Sequence, residues 1–339
     1  MNRLDRHGAG DLPIIGITAG DPAGIGPEVV LKSVCDEEIG RHCRPVLIGD
    51  RDNLEWTARE LGIPLNFREF DQEKPAVAGT VDLVGLSELS VPVTFGSETS
   101  ETGRSAAKNI EKAVALWRDG SVDAIATAPI SKNALRLGGY EFPGHTEFLA
   151  ALTETSEFAM SFFAGKLRVV LLSTHLSLRD AIERVRSAAL SELIEFCDRE
   201  LPRFVGKRPR IAVAGLNPHA SEGGMFGTEE AAEIEPSIAE CRTKGIDVSG
   251  PYSPDTIFLR GFRGEFDLVV ACYHDQATIA VKCLSFGSSV NVTLGLPLIR
   301  TSVDHGTAFD IAGQGIADAS SMKAAILLAA DLFSGASLV

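Results

Sequence analysis

Five short apolar runs limit what this chain can fold into. Residues 14–18, 122–127, 167–172, 211–214 and 268–271 consist mainly of Ile, Val, Leu and Ala, with little polar alternation. Strands of that kind must be covered on both faces, and a mostly parallel sheet packed between helices does this. Helical spacing appears between the runs: Ala106, Ala107, Ile110, Ala113, Val114 and Trp117 mark one apolar face. A further strand is expected at 45–48. A helix is expected from about Pro27, where proline and Glu28 suit a first turn. The fold class is α/β, and 339 residues suffice for two subdomains.

Three of the runs stop just short of a histidine. The run 167–172 precedes His175, 211–214 leads into Asn217-Pro218-His219, and 268–271 leads into Tyr273-His274-Asp275. Open α/β sheets bind ligands beyond the carboxyl ends of their strands. Three imidazoles would leave a metal one open position, as catalytic sites do. Taken singly, a histidine at a strand end is more often a hydrogen-bonded structural residue. Three in equivalent places shift the balance towards a site, although their wide spacing makes no local zinc motif. Cys272, beside His274, reads as a small buried hydrophobe rather than a ligand. His7 and His42 read as surface residues.

The remaining signals are weaker alone. Gly20, Gly24 and Gly26 lie between a strand and a helix, and Asp50 ends the next strand, as a dinucleotide fingerprint requires. The spacing is not GxGxxG and no GK[ST] follows, so a tight turn explains the loop at least as well. Gly144-His145-Thr146-Glu147 offers a hydroxyl, an imidazole and amides suited to an anion, while Thr146 as a plain N-cap would also account for it. Lys282, Asn291 and Arg300 follow the third histidine. Arginine suits bidentate contact with phosphate or carboxylate, though such residues usually sit on a solvated surface. The segment 304–315 holds His305, Gly306, Thr307, Ala308 and Asp310. Its small residues would let backbone approach a flat ligand, and equally suit a turn into a packed helix.

Composition removes several classes. A net charge of −14 repels phosphate backbones, so nucleic acid is not an expected partner. No apolar stretch has the length of a membrane span. The six cysteines form no CxxC pair, and the first twelve residues lack an apolar signal region. A cytoplasmic protein with free thiols is expected, with a frayed tail after residue 334.

The segments GDPAGIGPE (20–28), ATAPISK (126–132), PGHTEFLA (143–150), STHLSLRD (173–180), GLNPHASEGGMFGTEE (215–230), YHDQ (273–276) and NVTLGLPLIRTSVDHGTAFDIAG (291–313) together resemble the PdxA family of 4-hydroxythreonine-4-phosphate dehydrogenases. They run in order through almost the whole chain. The resemblance implies two α/β/α subdomains with mixed, mostly parallel sheets, like isocitrate and isopropylmalate dehydrogenases. Residues 1–135 plus 293–339 would form one, and 136–292 a middle one with the metal ligands and dimer interface, interlaced as one fold unit. It implies a divalent metal on His175, His219 and His274, commonly zinc, with magnesium, cobalt or manganese as alternatives. It places substrate at His145, Thr146, Lys282, Asn291 and Arg300. It places NAD against His305, Gly306, Thr307, Ala308 and Asp310, which leaves the 20–26 loop without that role. It also implies a homodimer with metal ligands shared between subunits.

Some residues depart from the family pattern. Ala277 stands where much of the family has Gly, and HASEGG where many members have HAGE. The run 112–132, with 306–313, looks closer to the PdxA2-type branch, which oxidises D-threonate or D-erythronate 4-phosphate. A more distant relative acting on a cyclic dihydrodiol from terephthalate shares HASEG, but GHTE, Asn291 and Arg300 favour a phosphorylated substrate.

The reaction so implied is metal-assisted oxidation of a hydroxyl, with hydride passing to NAD and the resulting β-keto acid losing carbon dioxide, as in pyridoxal phosphate biosynthesis. Lys282, Asp275 and Asp255 are the proton-handling candidates, and Asp275 is equally suited to orienting its neighbouring histidine. A binding protein for phosphorylated ligands that has lost catalysis is the alternative from another class. A phosphate-transferring enzyme built on the 20–26 loop lacks the lysine it would need there.

Overall fold

The computed structural model describes residues 12–90, 93–285 and 287–335. The polar leader with His7 and the residues after 335 lie outside them. The chain begins β1 (Ile14–Thr18), α1 (Gly26–Val34), α2 (Glu37–His42), β2 (Arg44–Asp50), α3 (Arg51–Glu60), β3 (Phe67–Glu69) and β4 (Val81–Leu86). It continues α4 (Ser100–Asp119), β5 (Ala124–Thr127), α5 (Lys132–Leu137) and α6 (His145–Leu152). Then come β6 (Ala159–Ala164), β7 (Leu167–Leu171), α7 (Leu178–Arg184), α8 (Ser187–Glu200), α9 (Pro202–Val205) and β8 (Ile211–Ala214). The last part holds α10 (Glu235–Thr243), β9 (Val248–Tyr252), α11 (Pro254–Phe262), β10 (Leu268–Ala271), α12 (His274–Leu284), β11 (Val290–Leu294), β12 (Ile299–Ser302) and α13 (Ser320–Ser334).

Contacts divide the chain into two units: one runs to Glu157 and resumes over 296–334, the other spans 158–295. The first boundary falls beyond residue 135 because α5 and α6 both pack on α4.

In the first unit the strand order is β3-β4-β2-β1-β5-β12, and every neighbouring pair is parallel. The chain leaves β1 in one direction to β2 and later in the other to β5. The topological switch, where such sheets receive ligands, therefore lies at the carboxyl ends of β1 and β5. Ile15, Ile17, Leu47 and Leu83 are fully buried and pack in one core with Val29 and Leu31 of α1 and Met322 and Ile326 of α13. Each such side chain contributes roughly 1.5–3 kcal/mol of burial. Helix α4 is longer than its apolar stripe. Thr99 accepts from the Thr102 amide while Thr102 answers the Thr99 amide, and Gly120 ends the helix at φ 84°.

In the second unit the order is β11-β6-β7-β10-β8-β9. β6 is antiparallel to both neighbours, and the rest of the sheet is parallel. The three histidine-preceding strands are thus adjacent, as β7-β10-β8. Their registers align Ala271 with Leu171 and Val270 with Val213, so their carboxyl ends finish level. All their residues are buried, which is why the sequence shows runs and not alternation. Among the described residues, no helix is long and apolar enough to cross a membrane.

Candidate functional site

Strands about 4.8 Å apart that end level bring the residues just past their ends together. His175 follows β7 and His274 opens α12 after the central β10; their ring centroids lie 6.0 Å apart. His219 follows β8, on the other side of β10, and its ring lies 6.3 Å from Phe226. His274 Nδ1 is 2.7 Å from Asp275 Oδ1, which fixes the tautomer and leaves Nε2 as the outward donor atom. Three imidazoles suit a zinc-like ion in kind. Among the described residues of one chain, however, no three His, Cys, Asp or Glu side chains form a group that could hold a metal. The donor chemistry fits, and one chain gathers two of the three donors. Cys272 is fully buried, its Sγ lies 3.5 Å from Ala214 O, and burial pushes its thiol up to about 12.

The His219 turn is strained. His219, Ala220, Ser221 and Glu222 have φ of 55°, 50°, 63° and 44°, a left-handed run without a single glycine. Each such residue costs about 1–2 kcal/mol. Local strain of this kind persists only where surrounding structure holds it, and it concentrates at functional sites.

Asp255, Tyr273, Asp275 and Gln276 line a cavity of about 550 Å³ between α11 and α12, floored by Phe258, Ala280 and Leu284. The structure thus brings the Asp255 and Asp275 candidates to one cleft. Ser253 Oγ donates to Asp255 Oδ1 at 2.5 Å. Lys282 is exposed on α12, and Asn291 is half-buried on β11, opposite Phe162 of β6. Ala277 is fully buried in the second unit's core.

In the first unit, Arg300 sits on β12 beside β5, only 3% exposed, and donates to Thr127 Oγ1 from Nε at 3.2 Å and Nη2 at 2.8 Å. Burial lowers its pKa to about 9, and Glu147 nearby opposes the drop, so it is still a cation at neutral pH. His145 opens α6. Burial first, and Arg300 second, hold its pKa well below the ordinary range. Its ring is therefore neutral, and its enclosed Nε2 has no partner. Thr146 is not the N-cap. Gly144 is, and it offers no side chain to the helix amides. An uncapped helix start, a buried cation and an unpaired imidazole nitrogen are thus brought together at the start of α6. Thr127, which holds Arg300, was visible only as the end of the 122–127 run.

The glycine loop has a packing explanation. A Cβ on Gly20 would come 2.4 Å from Pro129 O, one on Gly26 2.4 Å from Ala19 O, and one on Gly24 2.9 Å from Thr307 O. The Ile25 amide donates to Thr307 O at 3.0 Å. The loop's glycines are thus used against the chain's own backbone, and they seat the 305–308 segment. That segment holds His305, whose Nδ1 lies 3.0 Å from Gly306 O and whose enclosed Nε2 has no partner. Gly306 has open space where a Cβ would point, Ala308 sits at φ 40°, and Asp310 is exposed. An unpaired donor-acceptor beside open backbone fits a dinucleotide's polar edge.

Asp21, at the switch point, is fully buried with Oδ2 unpartnered. Burial raises its pKa from 3.8 to about 6, the Ala23 amide opposes this, and Glu98 adds to it. The folded chain therefore holds this proton more tightly than the unfolded one. The stabilising contribution is complete below about pH 4 and is lost as pH rises through about 6, a change of about 3 kcal/mol. Asp21→Asn is expected to unfold at higher denaturant than wild type at pH 7.5 and at the same denaturant at pH 4. An equal gap at both pH values would remove the titration account.

A family model described as "Pyridoxal phosphate biosynthetic protein PdxA" matches residues 41–329. A D-threonate 4-phosphate dehydrogenase of Cupriavidus necator is 48% identical over 324 residues, covering 95% of this chain and 97% of its own. A 4-hydroxythreonine-4-phosphate dehydrogenase of Desulforapulum autotrophicum is 45% identical, covering 94% and 95%. The crystal structure of 4-hydroxythreonine-4-phosphate dehydrogenase from Klebsiella pneumoniae superposes with a TM-score of 0.87 at 42% identity, covering 95% and 98%.

Proposed function

The chain belongs to the PdxA family, and from that premise we propose that it oxidises a small phosphorylated hydroxy acid with NAD as acceptor and a divalent metal as aid. The observation that carries the reading is a buried polar pair in the first unit: Arg300, charged and with Glu147 nearby, beside a neutral His145 with an unpartnered Nε2. A phosphate dianion satisfies both. In this reading Arg300 binds phosphate, held to its angle by Thr127. Thr146 and the first α6 amides complete the contacts, and Lys282 and Asn291 serve the same substrate. His175, His219 and His274 would hold the ion, zinc first by donor type. There an ion would supply Lewis-acid activation of the substrate hydroxyl, and His305, Gly306, Thr307, Ala308 and Asp310 would hold NAD, which would supply the hydride acceptor. Asp275 orients His274 through the 2.7 Å contact. Lys282 is the proton-handling candidate, with Asp255 in the neighbouring cleft as the second.

4-Hydroxythreonine 4-phosphate, whose oxidation leaves a β-keto acid that decarboxylates, is the first substrate candidate. The 48% relative favours D-threonate 4-phosphate as a second, and D-erythronate 4-phosphate shares its chemistry. Each is to be offered with NAD and a divalent ion, next to its unphosphorylated counterpart. The reading expects NADH from at least one, with kcat/KM about 100-fold or more above the counterpart, the worth of two charge-assisted hydrogen bonds. Ligand binding without NADH from any of them would leave a binding protein that has lost catalysis.

The reading includes a homodimer with metal ligands shared between subunits. Leu176, Leu178, Met225, Phe226, Leu259 and Ile279 are all exposed large apolar residues of the second unit. Contact with a second copy of the chain would give them cover. The same preparation is expected to sediment at twice 36.1 kDa. A monomer at micromolar concentration would remove the shared site.

A further inference from the structure

The three histidine-bearing strand ends are tied to one another by buried polar side chains that have no place in the reaction. Ser173, two residues before His175, donates from Oγ to Cys272 O at 3.1 Å. The Cys272 amide donates to Gln276 Oε1 at 2.7 Å, and Gln276 Nε2 donates to Gly215 O at 2.7 Å. Gln276 is 8% exposed, and it thereby links the start of the His274 helix to the loop that carries His219. Beyond Gly215, Glu230 Oε1 accepts the Leu216 and Asn217 amides at 2.9 and 2.7 Å, and its Oε2 accepts Asn217 Nδ2 at 2.8 Å. Glu229 Oε2 accepts Asn217 Nδ2 as well, at 2.8 Å. Glu230 is fully buried and opens a single π-helical turn, Glu230–Ile234, a distortion that tends to mark functional sites.

A buried carboxylate is costly unless its oxygens are used, and three donors use these. What they fix is the backbone two residues ahead of the left-handed run at His219. Without that grip the run has a less strained alternative available, and His219 would leave its position at the end of β8. Gln276 does the equivalent work between β8 and β10. Its two bonds need an acceptor on one side and a donor on the other, and the amide supplies both without carrying charge.

We propose that Gln276 and Glu230 are positioning residues: Glu230 fixes the backbone that leads into His219, and Gln276 ties that loop to the start of the His274 helix, so that each histidine is held ready to bind the ion. The inference rests on the reading of those histidines as metal ligands. Groups behind metal ligands typically contribute 10- to 100-fold in affinity.

The test uses two near-isosteric variants of the full-length protein, with cobalt(II) alone as the probe. Gln276→Met removes both bonds, to the Cys272 amide and to Gly215 O, at similar side-chain volume. Glu230→Gln keeps one acceptor and sets an amide against Asn217 Nδ2. Each is expected to weaken cobalt binding about 10- to 100-fold, with a changed intensity in the visible cobalt bands. The metal-free melting temperature is expected to stay within a few degrees of wild type. Wild-type affinity and spectrum in both variants would overturn the proposal. So would a loss of affinity matched by a loss of metal-free stability, since that is a merely structural role. His219→Ala, measured beside them, separates the two levels. If it binds cobalt as wild type does, the metal reading itself fails. If it alone weakens binding, only the positioning role fails.

Discussion

His219→Ala is expected to lose its divalent ion on dialysis and to reduce NADH formation by at least about 10³-fold, because in the proposed reading His219 is one of three ligands, whose loss would forfeit transition-state charge stabilisation of several kcal/mol. The fold should hardly notice. His219 is exposed, its ring meets only the edge of Phe226 at 6.3 Å among the described contacts, and alanine at φ 55° bears a strain similar to that of histidine. Surface changes of that kind shift stability by about 0.5 kcal/mol or less. The combination matters: activity and metal gone, melting unchanged. A variant that melts normally, turns over normally and resists chelators would take the metal away from this histidine.

Arg300→Ala is the second large effect. The guanidinium is 3% exposed and charged, so its partner anion is poorly screened and its removal is felt in full. Truncating one member of a buried charge pair costs about 3–5 kcal/mol, which corresponds to roughly 10²-fold to several thousand-fold in kcat/KM for a phosphorylated substrate. Arg300→Lys keeps the charge but loses the fork that spans Thr127 and the ligand. It is expected to fall between the two. Inorganic phosphate should inhibit wild type competitively and Arg300→Ala far more weakly. If both variants kept the wild-type preference for phosphorylated over unphosphorylated substrate, Arg300 would not be the phosphate residue.

The strands of the site were legible because their burial is written as composition. β1, β8 and β10 run as the apolar runs run, since every residue in them is covered. The adjacency of β7, β10 and β8 was not legible. It depends on pairing across long intervals, and no local pattern records which strand lies beside which. The same limit hid Gln276 and Glu230. Their importance comes from Gly215, Cys272 and Asn217, which are neighbours in space through the sheet and through the turn of a π-helix. The 20–26 glycines left two explanations open in sequence. The structure favours packing, because the atoms their Cβ would meet are carbonyls of Ala19, Pro129 and Thr307. Of the two readings open for 144–147, the one with Thr146 as N-cap is removed, since Gly144, the residue before the histidine, takes that place and offers the helix amides no side chain.

One measurement bears most directly on the central claim. Purified protein is stripped of metal with a chelator, dialysed, and assayed for NADH formation with NAD and each phosphorylated candidate acid, before and after zinc, cobalt, manganese or magnesium is returned. The account predicts no NADH from the stripped protein and recovery with one equivalent of a zinc-like ion per chain. Full turnover by stripped protein, with no response to any returned ion, would contradict it.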